Sequence, residues 1–155
     1  MFTLPIKIII VEDEPLIAEG IALHLKNSIF SVSAIAYDAD EALQLLQTKT
    51  PDIAILDINL EGGKDGIQIA EYINKVCPMP FIYLTSYSDK AIMDRAKATS
   101  PSGFIVKPFN KNTLLASLEI AVSNFSQHSN NHVPQLSLGK INKFLPDPLS
   151  EREYE

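Results

Sequence analysis

The stretch Pro51-Asp-Ile-Ala-Ile-Leu-Asp57 predicts a buried β-strand that leaves a carboxylate at its carboxyl end. Ile53 to Leu56 form an unbroken apolar run, which is typical of a parallel strand covered by helices on both faces. A buried carboxylate without a partner is costly, or shifts its pKa and becomes neutral. We therefore expect Asp57 at the open end of the strand, because ligands of open α/β sheets bind in the crevice beyond the carboxyl ends of the strands.

Composition limits the class of protein. The chain has 155 residues, 46% of them hydrophobic, which is enough for one buried domain and a short extension. A net charge of −6 and a pI near 5.0 argue against nucleic-acid binding through a basic face of this fragment. The single cysteine, Cys77, excludes an internal disulfide and a cysteine-rich zinc site. No signal peptide precedes Glu12 and no apolar run is long enough to span a bilayer, so we expect a soluble, cytoplasmic protein without a membrane segment.

Further apolar runs predict four more strands, and the segments between the runs predict amphipathic helices. Pro15 is expected to start the first helix and Asp38 to cap the second. The predicted strands are Ile6–Val11, Phe30–Ala36, Ile53–Asp57, Phe81–Leu84 and Gly103–Val106. The predicted helices are about Pro15–Lys26, Ala39–Gln47, Ile67–Val76, Asp89–Ala98 and Lys111–Phe125. This alternation predicts a doubly wound α/β domain with a parallel sheet.

Polar residues of particular kinds follow four of the five strands, namely Glu12 and Asp13, Asp57, Thr85 and Lys107. Because parallel strands end at the same edge, we expect these side chains in one crevice. Three carboxylates need a counter-charge, and Mg²⁺ with oxygen ligands suits them. The ammonium of Lys107 and the hydroxyl of Thr85 fit the oxygens of a phosphoryl group. Asp57 is then placed as a nucleophile that could carry that group as an acyl phosphate.

The order of these residues forms a family pattern: Glu12-Asp13, Asp57, Thr85 and Lys107-Pro108-Phe109, each after an apolar strand. This pattern resembles the receiver domain of two-component response regulators over about Lys7 to Val122. The resemblance implies a (βα)5 fold with strand order 2-1-3-4-5. It also implies that Asp57 is the phosphoacceptor and that a phosphohistidine on a sensor histidine kinase is the donor.

The resemblance further implies a role for each site residue. Asp13, Asp57 and the backbone carbonyl of Asn59 would ligate Mg²⁺, and Glu12 would act on the metal through water. Phosphoryl oxygens would bind to Thr85 and Lys107, and the Lys107–Pro108 bond would be cis. The switch would involve Thr85 and the aromatic residue Phe104. Homodimerisation through the helix 4, strand 5 and helix 5 face is common in this family.

Two features depart from the family pattern. The spacing from Asp57 to Asp65-Gly66 is one residue longer than usual, and Glu61 stands where proline is frequent. Phe104 lacks the hydroxyl of the more usual tyrosine, so we expect any switching there to depend on packing alone.

The remainder of the chain suggests an output domain. We expect the receiver to occupy residues 1–125 and a polar linker to occupy residues 126–148. In residues 149–155, Ser150 and Glu153 form a capping-box pattern, and Leu-Ser-x-Arg-Glu-x-Glu resembles the opening of a LuxR-type helix-turn-helix domain. The chain would then be the first part of a transcription regulator that binds DNA only through a further C-terminal domain. A winged-helix output or an unrelated peptide is the alternative.

Three other functions stay open at this point. A stand-alone receiver could act through protein contacts or as a phosphorelay intermediate. An aspartyl-phosphate enzyme of the haloacid-dehalogenase type needs a second aspartate two residues after the nucleophile, where this chain has Asn59. A flavodoxin-like flavin domain needs a phosphate loop after the first strand, where the chain has Glu12-Asp13-Glu14. The last two features favour a receiver that is not a separate enzyme.

Overall fold

Strands and helices alternate along the chain in the computed structural model. It describes the backbone of residues 4–60, 65–86 and 90–135, and the side chains of these residues up to residue 125. The strands are β1 (Ile6–Val11), β2 (Phe30–Ala36), β3 (Ile53–Asp57), β4 (Phe81–Thr85) and β5 (Gly103–Val106). The helices are α1 (Pro15–Leu25), α2 (Ala39–Lys49), α3 (Gly66–Val76), α4 (Lys90–Ala98) and α5 (Lys111–Gln135). Most of these bounds lie within two residues of the predicted ones.

The five strands form one parallel sheet in the order β2-β1-β3-β4-β5. The doubly wound (βα)5 fold and the strand order 2-1-3-4-5 are therefore confirmed. In the register, Val11 pairs with Leu56, and Asp57 pairs with Leu84. The ends of β1, β3 and β4 consequently lie side by side, and this alignment brings their terminal residues to one edge.

Each face of the sheet has its own apolar core. The side chains of β1 alternate between the two cores, as the period of a strand requires: Ile8 and Ile10 enter one, Ile9 and Val11 the other. One core contains residues of α1 and α5, namely Ala18, Ile21, Leu25, Leu114, Leu118 and Ala121. The other contains residues of α2, α3 and α4, namely Ala39, Ala42, Leu46, Ile67, Ile69, Ala70, Ile73 and Ala96. Both faces of the central strands are thus covered, which explains their continuous apolar runs.

Local signals in the sequence start the helices. Pro15 occupies the first turn of α1, where its missing N–H costs no hydrogen bond. Asp38 caps α2 by accepting a hydrogen bond from the backbone N–H of Glu41 at 2.8 Å. Asp65 and Gln68 form a reciprocal capping box at the start of α3. The last of these fixes the point at which α3 begins after the functional strand β3.

One predicted boundary is wrong. α5 extends to Gln135, ten residues beyond the predicted end, so residues 126–135 of the predicted linker are helical. The segment between Phe125 and Pro134 has no glycine or proline, and a helix propagates through polar residues at little cost once it has been nucleated. The absence of apolar periodicity therefore did not mark the end of the helix.

The described backbone divides into two units between residues 122 and 123. All five strands and the first four helices belong to the first unit, and the described part of the second is the helical segment 123–135. The predictions for Glu61, for the rest of the linker and for residues 149–155 fall outside the described residues. Among the described helices, none is long and apolar enough to cross a membrane.

Candidate functional site

Three carboxylates meet at the carboxyl edge of the sheet. Oxygen atoms of Glu12, Asp13 and Asp57 all lie within 4.8 Å of one another. Glu12 is fully buried and Asp57 is 4% exposed, whereas Asp13 is half-buried. The pairing of β1 with β3 holds the three residues together, because Val11 and Leu56 pair directly before them.

Lys107 supplies positive charge to this cluster from the residue that follows β5. Its Nζ lies 3.0 Å from Oε1 of Glu12 and 3.1 Å from Oδ2 of Asp57. The backbone N–H of Lys107 donates to the carbonyl of Thr85 at 2.7 Å, and the Lys107–Pro108 bond is cis, as the resemblance implied. One ammonium therefore contacts two of the three carboxylates.

The backbone around Asp57 leaves little room for displacement. The N–H of Asn59 donates to Oδ1 of Asp57 at 3.0 Å, and the N–H of Gly66 donates to the carbonyl of Ile58 at 3.2 Å. A Cβ atom at Gly66 would overlap the carbonyl oxygen of Asp57 and lie 3.2 Å from Cα of Ile58. Gly66 is thus needed because α3 begins directly against the candidate nucleophile.

The pKa values follow from burial and from this charge imbalance. Burial, with a smaller contribution from the charge of Asp57, raises the pKa of Glu12 from 4.5 to about 7, although hydrogen bonds from Lys107 and from the backbone of Glu14 act to lower it. Burial acts to lower the pKa of Lys107, but its hydrogen bonds to Glu12 and Asp57 outweigh burial, and the net shift is upward. Lys107 is therefore held as a cation while Glu12 is not fully ionised at neutral pH.

The donor set fits a hard divalent cation. Oε1 of Glu12 is buried, and its polar contact among the described residues is with Nζ of Lys107 at 3.0 Å. The three clustered carboxylates offer oxygen ligands, and their negative charge exceeds that of the nearby ammonium. Mg²⁺ prefers such oxygen ligands and retains several waters, which the open side of the cluster permits.

A crevice of about 380 Å³ opens above the cluster. It is lined by Asp13, Glu14, Asp57, Asn59, Ser86 and Lys107. Thr85 is not part of this lining: it is 2% exposed and forms the buried end of β4. Ser86 contributes a hydroxyl to the described lining of the crevice, and no sequence pattern distinguishes it.

Phe104 lies away from the crevice, in an aromatic group beneath α4. Its ring centroid is 5.6 Å from that of Tyr83, and Tyr83 in turn makes an edge contact with Phe81. The hydroxyl of Tyr83 lies 2.6 Å from that of Thr99. A buried tyrosine in a strand was the available signal for a polar partner, but the sequence could not identify that partner.

A second groove, of about 470 Å³, lies beside the crevice and is largely apolar. It is lined by Ile17, Gly20, Ile21, His24, Ser86, Lys107, Pro108 and Phe109. His24 and Phe109 make an edge contact across it, with ring centroids 6.5 Å apart. Because Ser86 and Lys107 line both spaces, the groove leads directly to the cluster.

Known proteins share this architecture. A solved signal receiver domain of a modulated diguanylate cyclase from Desulfovibrio desulfuricans G20 has a TM-score of 0.76 at 32% identity, covering 81% of this chain and 99% of that one. A LuxR-family two-component response regulator from Aurantimonas sp. SI85-9A1 has a TM-score of 0.68 at 27% identity, covering 76% and 85%.

Sequence comparison agrees with the structural similarity. The transcriptional regulatory protein PdtaR of Mycobacterium tuberculosis is 32% identical over 123 residues, which are 79% of this chain and 60% of that protein. The chain thus spans about 60% of the length of this curated relative. The family described as the response regulator receiver domain matches residues 8–119. This chain belongs to the response regulator receiver domain family.

Proposed function

We propose that this chain accepts a phosphoryl group on Asp57 from a phosphohistidine of a sensor histidine kinase and thereby switches an output. The observation that carries the proposal is the environment of Asp57. Its carboxylate ends a fully buried strand, contacts Lys107 at 3.1 Å and faces a crevice shared with Asp13. A nucleophile with an ammonium beside it and an open approach suits phosphoryl transfer.

In the proposed step, a carboxylate oxygen of Asp57 attacks the phosphorus atom. The new O–P bond forms as the N–P bond to the donor histidine breaks, and the imidazole retains the electron pair and takes up a proton. The product is an acyl phosphate, which adds about 1.5 to 2 negative charges to the crevice. Lys107 already lies beside Asp57 and can neutralise part of this charge without moving far.

We assign the metal-binding role to Asp13, Asp57 and the carbonyl of Asn59, with Glu12 acting through water. When bound, Mg²⁺ supplies charge neutralisation for the oxygens of the transferring group. Glu12 keeps Lys107 in place by their 3.0 Å contact. Thr85 is assigned to the phosphorylated state, in which it turns its hydroxyl towards the phosphoryl oxygens. This assignment is supported by its position at the end of β4, one residue before Ser86 in the crevice.

The apolar groove supports an approach of the phosphodonor protein over the exposed face of α1. Leu16 and Leu23 on α1 are 85% and 67% exposed, next to the groove-lining Gly20. A Cβ at Gly20 would meet no atom within 4 Å, so packing within the described chain does not require glycine there. Because glycine inside a helix costs about 1 kcal/mol relative to alanine, the open space suits close approach of a partner helix. Gly20→Leu should slow transfer from a phosphorylated kinase but not from a small phosphodonor.

The output we propose is transcriptional. Support comes from the name of the relative PdtaR, a transcriptional regulatory protein, and from the LuxR-like sequence at residues 149–155. DNA would then be bound by a C-terminal domain, and the phosphorylated receiver would dimerise through α4, β5 and α5. Val106 and Ile120, which are 41% and 56% exposed, provide apolar surface on that face. The alternative is a receiver that acts through protein contacts or in a phosphorelay, and the length of the natural gene product distinguishes the two.

The proposal does not include a separate enzymatic activity. The chain would assist only its own phosphorylation and dephosphorylation, in the cytoplasm where kinases are charged by ATP. The residue two positions after Asp57 is Asn59, whose side chain has no carboxylate for acid catalysis towards other substrates. Sustained turnover of a phosphate ester with a fixed, catalytic amount of this chain would contradict this part.

Intact-protein mass spectrometry tests the proposal. The protein is incubated with Mg²⁺ and acetyl phosphate, and one added phosphoryl group is expected, with much less in excess EDTA. Asp57→Asn should show no adduct, whereas Asp94→Asn, the same substitution on the exposed face of α4, should behave as the parent. Equal adduct on the parent and on Asp57→Asn would refute the assignment of Asp57.

A further inference from the structure

Helix α4 has little apolar burial to hold it in place. Of its nine residues, Lys90–Ala98, only Ala96 is buried, while Ile92 and Met93 are partly buried against the core. By comparison, α3 buries five of eleven residues. Polar contacts must therefore contribute a larger share of the positioning of α4 than of its neighbour.

The strongest of those contacts lie at the C-terminal end of α4 and form what we call the Tyr83 anchor, made of Tyr83, Thr99 and Asn74. The hydroxyl of Thr99 donates to the carbonyl of Ala96 at 2.6 Å, so its oxygen accepts from the hydroxyl of Tyr83, also at 2.6 Å. The side-chain amide of Asn74 donates to the carbonyl of Thr99 at 2.7 Å. The anchor therefore joins β4 and α3 to the end of α4.

The anchor is also connected to the functional site. Tyr83 precedes Thr85 by two residues on β4, and side chains two apart on a strand project from the same face. The ring of Tyr83 lies against that of Phe104, with an interplanar angle of 32°. Burial raises the pKa of Tyr83 to about 12, so the hydroxyl stays protonated at neutral pH and remains a donor.

The hydroxyl of Tyr83 needs an explanation beyond packing. Tyr83 is fully buried, and an apolar side chain would fill this space in β4 without the desolvation cost of a hydroxyl. The cost is offset by the bond to Thr99, a residue that lies outside the sheet and immediately follows α4. The hydroxyl of Tyr83 therefore attaches the end of α4 to β4.

We propose that the Tyr83 anchor is the pivot of the switch: it fixes the C-terminal end of α4 and the ring of Phe104, while the N-terminal end of α4 responds to phosphorylation of Asp57. This role rests on the proposed function. It supplies a polar link between β4 and α4 in a chain whose Phe104 has no hydroxyl of its own. Tyr83 and Thr99 are positioning residues, since neither lines the crevice.

Hydrogen–deuterium exchange of the α4 amides, with and without acetyl phosphate and Mg²⁺, tests the pivot. In the parent, phosphorylation should speed exchange in the first turn of α4 and leave residues 96–100 protected. In Tyr83→Phe, residues 96–100 should exchange about tenfold faster, and phosphorylation should now change their exchange as well. Thr99→Val removes the same hydrogen bond and should behave in the same way. It replaces Tyr83→Phe in the test if that variant folds poorly. Tyr72→Phe is the matched control, because Tyr72 packs on the same core without a hydrogen bond to the described residues.

The outcomes separate the two proposals. The mass of each sample is measured before exchange, so that adduct formation is known independently. One outcome would overturn the pivot and leave the proposed function standing. In it, the parent forms the adduct, and phosphorylation changes the exchange pattern in the same way in the parent, Tyr83→Phe and Thr99→Val. If exchange in Tyr83→Phe increases uniformly along α4 and phosphorylation does not change it, the anchor only stabilises the fold, and the pivot is also overturned. Absence of any adduct on the parent would refute the proposed function, and the switching role with it.

Discussion

The acidic edge of the sheet and the α4 side differ in how they are held. At the acidic edge, every residue of β3 is buried and the two buried carboxylates, Glu12 and Asp57, extend from strands paired with neighbours on both sides. On the α4 side, a nine-residue helix buries one alanine, and β5 leaves Val106 exposed. The contrast indicates a rigid region that holds reacting groups and a weakly held region that can change position.

This difference has a physical reason. Phosphoryl transfer depends on preorganised charges, so a nucleophile and an ammonium 3.1 Å apart are useful only if their backbones do not move. A switch needs the opposite property, namely two arrangements separated by a small free energy. Few buried apolar contacts on α4 keep that free energy small.

The largest expected effect comes from removing the tight contact at the acidic edge. Gly66→Ala places a Cβ atom against the backbone of Asp57 and Ile58 and should lower the free energy of unfolding by about 3 kcal/mol or more, with loss of adduct formation. Gly20→Ala is the matched control, because its Cβ meets open space; it should raise the free energy of unfolding by up to about 1 kcal/mol. Chemical denaturation measures both. Similar effects for the two substitutions would show that the acidic edge is not tightly packed.

The next effect is a pH dependence that only the acidic edge should show. In metal-free protein, folding raises the pKa of Glu12 from 4.5 to about 7, so the native state binds the proton more tightly. The free energy of unfolding should therefore fall as pH rises from 4.5 to about 7, by on the order of 3 kcal/mol, and Glu12 should contribute no further slope above that pH.

Denaturation in EDTA across this pH range measures the slope. Glu12→Gln should remove most of it, because glutamine stays neutral. Glu19→Gln, which replaces an exposed glutamate of α1, should leave it unchanged. A stability that rises through this range in the parent but not in Glu12→Gln would mean that Glu12 is stabilised as an anion.

A smaller effect compares two helix caps. Asp65→Ala removes the capping box of α3 and a 3.6 Å contact with Arg95, while Asp38→Ala removes the cap of α2. Each should lower the free energy of unfolding by about 1 kcal/mol. Only Asp65→Ala should also slow phosphorylation by acetyl phosphate, since α3 begins against Asp57. Equal phosphorylation rates in the two variants would show that the start of α3 does not position Asp57.

The smallest effect concerns the surface of α4. Lys90 and Asp94 are 2.8 Å apart, but their side chains are 88% and 56% exposed. Lys90→Ala should change the free energy of unfolding by less than about 0.5 kcal/mol, whereas Tyr83→Phe should lower it by about 1 kcal/mol. A larger effect for Lys90→Ala would mean that surface charge, and not the Tyr83 anchor, holds α4.

Sequence patterns were sufficient for the fold and for the convergence of charged side chains at one edge of the sheet. Continuous apolar runs occur where strands are covered on both faces, so β1 and β3 and the residues after them could be located from local composition alone. Parallel topology then brings Glu12, Asp57 and Lys107 together, as the contacts confirm. The cis bond at Lys107–Pro108 followed from the family resemblance.

The remaining features depend on contacts between distant residues. Tyr83 and Thr99 are 16 residues apart, and nothing local in either segment identifies the other as a partner. The burial of Thr85 and the presence of Ser86 in the crevice depend on where β4 ends, within one residue. Polar composition after Phe125 predicts the end of α5 there, but a nucleated helix continues through such residues, and α5 reaches Gln135.

Locating the phosphoryl group among the three clustered carboxylates tests the account most directly. After incubation with acetyl phosphate and Mg²⁺, borohydride reduces an aspartyl phosphate to homoserine, which marks the position through proteolysis and peptide mass analysis. Homoserine is expected at position 57 only, with Asp13 and Glu12 unmodified. Modification at position 13, or the same peptide masses with and without phosphodonor, would contradict the assignment of Asp57 as the group that receives the phosphoryl.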